Sequence, residues 1–185
     1  MDLSLADTYY LKALDSYPYN LESATENLNY ALSYNSDHAQ ANCLMGRMYM
    51  EILKDYDLAE RYFELAIIND LQFVDTYKWF SLLMIWKSEF DRAEKIVNYG
   101  SKVKGMNQAV MIHRKALISE AKGEYIAAAK LIKYALRSSL SNDNISILNC
   151  ELERVKKKVK SKKKQYKKAK KVLKVLLILF VGKWQ

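Results

Sequence analysis

The chain has 185 residues, 50% of them hydrophobic, with 5 Gly and 1 Pro (Pro18). That length fits one domain plus an appendage, and so little Gly and Pro leaves neither the turns of a many-stranded β protein nor the glycine loops of an α/β nucleotide site. The net charge of +9 is unevenly placed: residues 151–185 hold 14 of the 30 Lys and Arg and 2 of the 21 acids, a net +12, against −3 for residues 1–150.

Along the chain, four series of residues recur in phase. Leu21, Tyr56, Phe90 and Tyr125 lead each series, followed by Ala24, Ala59, Ala93 and Ala128. Large apolar residues come next at Leu28, Phe63, Val97 and Ile132, then small ones at Ala31, Ala66, Gly100 and Ala135. Steps of four and three put Ala24, Leu28 and Ala31 on one helix face. Small residues let a neighbouring helix approach, and the large one between them fills the remaining gap. A single unit cannot bury its own apolar face, so units must stack.

These units resemble the tetratricopeptide repeat, a helix–turn–helix of about 34 residues. Unit two matches best, with Met45-Gly46, Tyr49, Asp55-Tyr56, Ala59, Phe63 and Ala66. Unit four reads Gly123-Glu124-Tyr125, Ala128, Ile132 and Ala135. Unit three has Ser81 where the family favours Gly, and unit one has Lys12. The family's proline near the end of each repeat is missing from all four units. The resemblance covers roughly residues 3–140. It implies an all-α, right-handed superhelix of four antiparallel helix pairs followed by a long basic C-terminal helix. The predicted pairs are 3–16 with 20–34, 38–53 with 56–69, 73–87 with 90–103, and 107–121 with 124–138. Asn20, Asp70, Asn107 and Asn142 stand near predicted helix starts, where capping side chains are favoured. The repeat domain is placed at 1–142 and a capping helix with its Lys-rich extension at 143–185.

In this family the first helix of each pair lines a concave groove, and the best-known role is to bind a protein segment there. Carried onto this chain, the groove positions are Tyr9 and Ala13; Gln40, Cys43, Arg47 and Met50; Asp75, Lys78, Leu82 and Trp86; and His113, Leu117 and Glu120. The best-known peptide binders grip a terminal carboxylate with a Lys, Asn and Arg clamp. The matching positions here carry Tyr9, Ala13, Cys43 or Leu44, Asp75 and Trp79, so that mode of recognition is not expected. Trp79, Leu82, Leu83 and Trp86 form an apolar stripe. Large aromatics at helical spacing are more often core than site. Yet Tyr77, Phe80 and Met84 already fill the core positions of that helix, which leaves Trp79 and Trp86 open to a partner protein.

Beyond Asn144 lysines dominate, and Leu148, Leu152, Val155, Val159, Tyr166, Ala169, Leu173, Leu176 and Phe180 keep heptad spacing, broken only at Lys162. The stripe predicts one long amphipathic helix of about 50 Å. Its first part, 143–155, is expected to cap the fourth repeat. Separately, if the lysine-rich part serves as an attachment, a cut after Cys150 is expected to leave a folded body. Three attachments compete for the rest. Lys163, Lys167, Lys171, Leu173, Leu176, Phe180 and Trp184 suit an anionic membrane surface. Residues 172–181 form an apolar run of only about 15 Å as helix, half of the ~30 Å needed to span. The heptads also suit a partner helix or a second copy of the chain. Nucleic acid is disfavoured, because Tyr166 alone offers a stacking ring and Arg154 is the one arginine. A solvated lysine run that aids solubility is the plain alternative.

His38 and His113 are isolated by spacing, and no metal, phosphate or nucleophile motif occurs. Acids such as Glu60 and Glu64 read as a solvated helix face. No enzyme activity, cofactor or metal is expected. Cys43 and Cys150 are expected to stay reduced, in a cytoplasmic protein that the tail could bring to the inner membrane face. The function these features imply is a scaffold or adaptor for a partner protein. The alternatives are a chaperone for a secretion or assembly client, and nucleic-acid association through the lysines.

Overall fold

The computed structural model describes residues 3–139 and 141–181, with 174–181 described by backbone alone. Its helices are α1 (Leu5–Ser16), α2 (Leu21–Tyr34), α3 (Ala39–Met48), α4 (Tyr56–Asn69), α5 (Val74–Trp86), α6 (Phe90–Gly100), α7 (Gln108–Ala121), α8 (Tyr125–Ser138) and α9 (Asn142–Val181). A π-helical stretch, Tyr49–Leu53, continues α3. No strand occurs among the described residues.

Several helices begin where a side chain satisfies an otherwise orphaned backbone N–H. Ser4 and Asp7 form a reciprocal capping box at α1. Asn20, His38 and Asp55 accept from the backbone N–H of Ser23, Ala41 and Leu58. Asp70 departs from expectation. It closes α4, and its carboxylate accepts from the Gln72 N–H at 2.8 Å within the turn. Asn142 is the first residue of α9.

The chain divides into two compact units, one ending at Asn107 and one beginning at Gln108. In the first, α1 pairs with α2, α3 with α4 and α5 with α6, while α2 touches α3 and α4 touches α5. In the second, α7 pairs with α8, and α8 packs on α9. The in-phase series explain the pairing. Ala24, Leu28, Ala31, Ala59, Phe63, Ala66, Ala93, Val97, Ala128, Ile132 and Ala135 are all essentially inaccessible to water.

Close approach is tightest at Gly100. A Cβ there would lie 2.7 Å from the Cβ of Tyr77 on α5. Gly100→Ala is therefore expected to lower stability by about 1–3 kcal/mol, since backbone or ring must shift to admit it. Urea unfolding measures this, and a midpoint equal to that of the unaltered chain would refute it.

Candidate functional site

Among the predicted groove positions of the first unit, Arg47 is held between aromatic rings. The Arg47 guanidinium lies 4.1 Å from the Trp79 ring centroid and 4.7 Å from that of Tyr17. Its Nε donates to Glu51 Oε2 at 2.6 Å, and the Tyr17 hydroxyl donates to the same oxygen at 2.5 Å. Glu51 stands on the π-helical stretch. Residues from α1's end, α3 and α5 thus meet on one charged pair flanked by aromatic rings, an arrangement in which cation–π attraction adds to the ion pair. Burial, followed by the hydrogen bond to Glu51, raises the Tyr17 hydroxyl well above its ordinary value.

The other groove positions separate into three groups. Cys43 and Met50 are corrections: at 4% and 0% exposure neither side chain is presented to a partner. They lie on the inward side of α3 and its π-helical continuation, and burial pushes the Cys43 thiol up to about 12. Tyr9 is half-buried. Its ring stacks on Tyr34 at 5.6 Å and lies 5.1 Å from Tyr30, both on α2. Ala13 is buried as well. Gln40, Lys78 and Leu82 are half-buried, with the Lys78 ammonium 5.0 Å from the Trp79 ring. Trp86 is the outward one, 43% exposed at the end of α5. It leans on Tyr56 at 6.2 Å, with the Lys54 ammonium 5.5 Å from its ring. Leu53, beside Lys54 in the chain, is exposed too. Leu83 instead joins Tyr77, Phe80 and Met84 in the core.

Glu60 is not part of a solvated face. Lys87 Nζ reaches Asp57 at 2.7 Å and Glu60 at 2.6 Å, while Arg92 bonds Glu60 at 2.5 Å, Glu64 at 3.2 Å and Glu89 at 2.6 Å. Hydrogen bonds from Lys87 to Asp57 and then Glu60 raise the ammonium to about 12. This lattice ties α4 to α6 and to the turn before it.

In the second unit α9 lies against α7 and α8. Leu148, Leu152 and Val155 enter one core with Ala116, Ala128, Ile132 and Ala135. His113, a predicted groove residue, is covered: its Nε2 lies 2.6 Å from Glu151 Oε2 on α9. Burial works against the Glu151 carboxylate, but the His113 hydrogen bond and the nearby charges of His113, Arg154 and Arg114 together hold the group below its usual range. Arg154 and Lys158 pair with Glu120, Lys158 at 2.8 Å. Leu117 is half-buried.

From Lys160 onward every described side chain of α9 is exposed, including Lys163, Lys167, Lys171 and Leu173. The side chains of Leu176 and Phe180, and the whole of Trp184, lie outside the described residues. Where α9 passes the start of α8, a cleft of about 670 Å³ opens between them. Lys162 Nζ bridges its walls by donating to the Gly123 carbonyl at 2.7 Å, and stands 5.3 Å from the Tyr125 ring. Sequence spacing had no way to place this cleft, because it depends on where α8 begins relative to α9. The break at Lys162 in the apolar stripe was its one trace.

Among the described residues no group of three His, Cys, Asp or Glu side chains could hold a metal ion. Nor is any described helix long and apolar enough to cross a membrane. No family model matches the chain, and no curated protein does. Among solved structures it is similar to the crystal structure of MamA protein. The TM-score is 0.60, at 14% identity over 90% of this chain and 94% of that one. The fold is thus all-α and tetratricopeptide-like, with its helices packed in adjacent pairs. At that identity the likeness bears on fold alone.

Proposed function

We propose that the chain is a non-catalytic scaffold that holds a partner protein on its first unit and is attached elsewhere through α9. The observation that carries this reading is Trp86. A large aromatic with the core positions of its helix already filled stays 43% exposed beside an exposed Leu53 and the Lys54 ammonium. Trp in that setting supplies the buried anchor that dominates many protein interfaces. Half-buried Leu82, Lys78 and Gln40 extend the contact surface, and the Arg47–Trp79 cluster acts as its rigid floor. The basic helix supplies the second attachment, at an anionic membrane surface or along a partner helix.

Affinity purification from the native host with the unaltered chain and with Trp86→Ala tests the first half. Trp86 is at the surface, so the variant is expected to keep its helical circular dichroism. Proteins enriched by the unaltered chain are expected to fall at least tenfold with the variant, the size of effect seen for central aromatic anchors. Equal recovery would overturn the assignment of the surface.

A further inference from the structure

We propose that the cleft between α8 and α9 is the docking site for an acidic amphipathic helix of a partner protein. This rests on the reading of α9 as an attachment element and says what it attaches to.

The cleft has an apolar lining from Tyr125, Ile126, Val159 and Tyr166. Lys130, Lys163 and Lys167 also line it, and none of the three has an acidic partner among the described residues. Glu124 is the one acid in the lining. The apolar surface is continuous with a packed interface. Leu148, Leu152 and Val155 of the heptad stripe are buried in the core with α8, and Val159 is half-buried. Farther along, Tyr166 is 71% exposed, and Ala169 and Leu173 border a second hollow of about 440 Å³. The same stripe that packs against α8 therefore runs on past α8 with no helix beside it among the described residues. A rod of about 10–12 Å diameter placed there would meet α9 along one side and the first turn of α8 along the other.

Charge selects among occupants. A second α9 would set lysines against lysines at the positions flanking the stripe, which opposes pairing between copies. A partner helix with Glu or Asp flanking its apolar face would meet Lys130, Lys163 and Lys167 with opposite sign. Shape selects against a bilayer. A lipid surface presents a broad plane, which engages exposed ridges and leaves a two-walled cleft unfilled.

The test uses the full chain and a fluorescent designed peptide of about three heptads, with Leu at a and d and Glu at the flanking positions. Comparators are a scrambled peptide of the same composition, a version with Lys in place of Glu, and phosphatidylserine-containing vesicles. Ile126 and Tyr166 are both exposed, so Ile126→Glu and Tyr166→Glu leave the fold intact by circular dichroism. Each is expected to weaken the Glu-flanked peptide at least tenfold. Lys163→Glu with Lys167→Glu is expected to reverse the preference toward the Lys-flanked peptide. Equal binding of the scrambled peptide, or an unchanged affinity in Ile126→Glu, overturns the proposal. So does a dimer in sedimentation, or vesicle binding, that Ile126→Glu abolishes in place of peptide binding. If the cleft fails while Trp86-dependent capture persists, the reading of the first unit stands. If capture fails while the peptide binds, the cleft stands.

Discussion

Phe63→Ala is expected to lower stability by about 3–5 kcal/mol in urea unfolding, with loss of helical signal from the first unit. Phe63 is fully buried and is the largest residue in its in-phase series. Its ring lies 5.7 Å from that of Phe80 on α5, so one side chain of α4 packs into the next pair. It also explains a glycine. A Cβ on Gly46 would sit 3.0 Å from Phe63 Cδ1 and 3.1 Å from the Ala59 carbonyl, so the ring occupies the space that Gly46 leaves. Emptying that space leaves a cavity that helices fixed by backbone hydrogen bonds refill only in part. The two positions are therefore coupled. Gly46→Ala is expected to cost less in the Phe63→Ala background than in the unaltered chain, because the added methyl then enters a void. A loss below about 1 kcal/mol for Phe63→Ala would mean the ring does not hold the pairs together.

The second helices were legible in the sequence because their burial is periodic. Ala24, Ala59, Ala93 and Ala128 recur at one helix position and are all inaccessible to water. A residue that must be small on every repeat leaves a mark that no tertiary knowledge is needed to read. The first helices were legible in extent but not in orientation. Cys43 and Met50 were placed in a groove by register carried over from a family; Cys43 stands in the regular part of α3, almost all of whose residues are buried, whereas Met50 falls where Tyr49–Leu53 widens into a π-helical stretch. Such a widening shifts the facing of the residues within it, and no composition rule announces it. Tyr9 is half-buried against the Tyr30 and Tyr34 rings of α2, contacts that spacing along the chain does not show. Arg47 was singled out, but its partners Tyr17, Glu51 and Trp79 come from three separate segments. Glu60 and Glu64 were read as solvated because spacing shows only neighbours on the same helix. Lys87 and Arg92, which neutralise Glu60, lie a repeat away. Long-range charge pairing has no period and so escapes a reading along the chain.

A cut after Cys150 is expected to unfold the second unit, whereas a cut after Lys160 is expected to leave it folded. The sequence suggested that the first of these cuts would spare the body, because the change to a lysine-rich composition comes close behind it. The packing places the boundary later. Leu152 and Val155 lie beyond Cys150 and belong to the same core as Ala128, Ile132 and Ala135, with Val155 wholly buried. Losing both exposes that core and removes contacts each worth about 2–5 kcal/mol in comparable large-to-small changes. The charges follow the same line. Glu151 is taken from His113, and Arg154 and Lys158 from Glu120, whose side chain is 7% exposed. A carboxylate left that deep without a cation adds a further penalty, since its desolvation is no longer offset. Against a typical domain stability of about 5–15 kcal/mol, the sum leaves little or nothing. The cut after Lys160 keeps Glu151, Leu152, Arg154, Val155 and Lys158, and removes the exposed lysine run together with the Lys162 bridge to Gly123. Paired urea titrations followed by circular dichroism decide the matter: two truncations with the same midpoint would show that Leu152 and Val155 do not support the α7–α8 pair. The same pair of chains separates the two roles of α9. Residues up to Lys158 cover the repeat core, and the attachment proposed for α9 falls to residues from Lys162 onward.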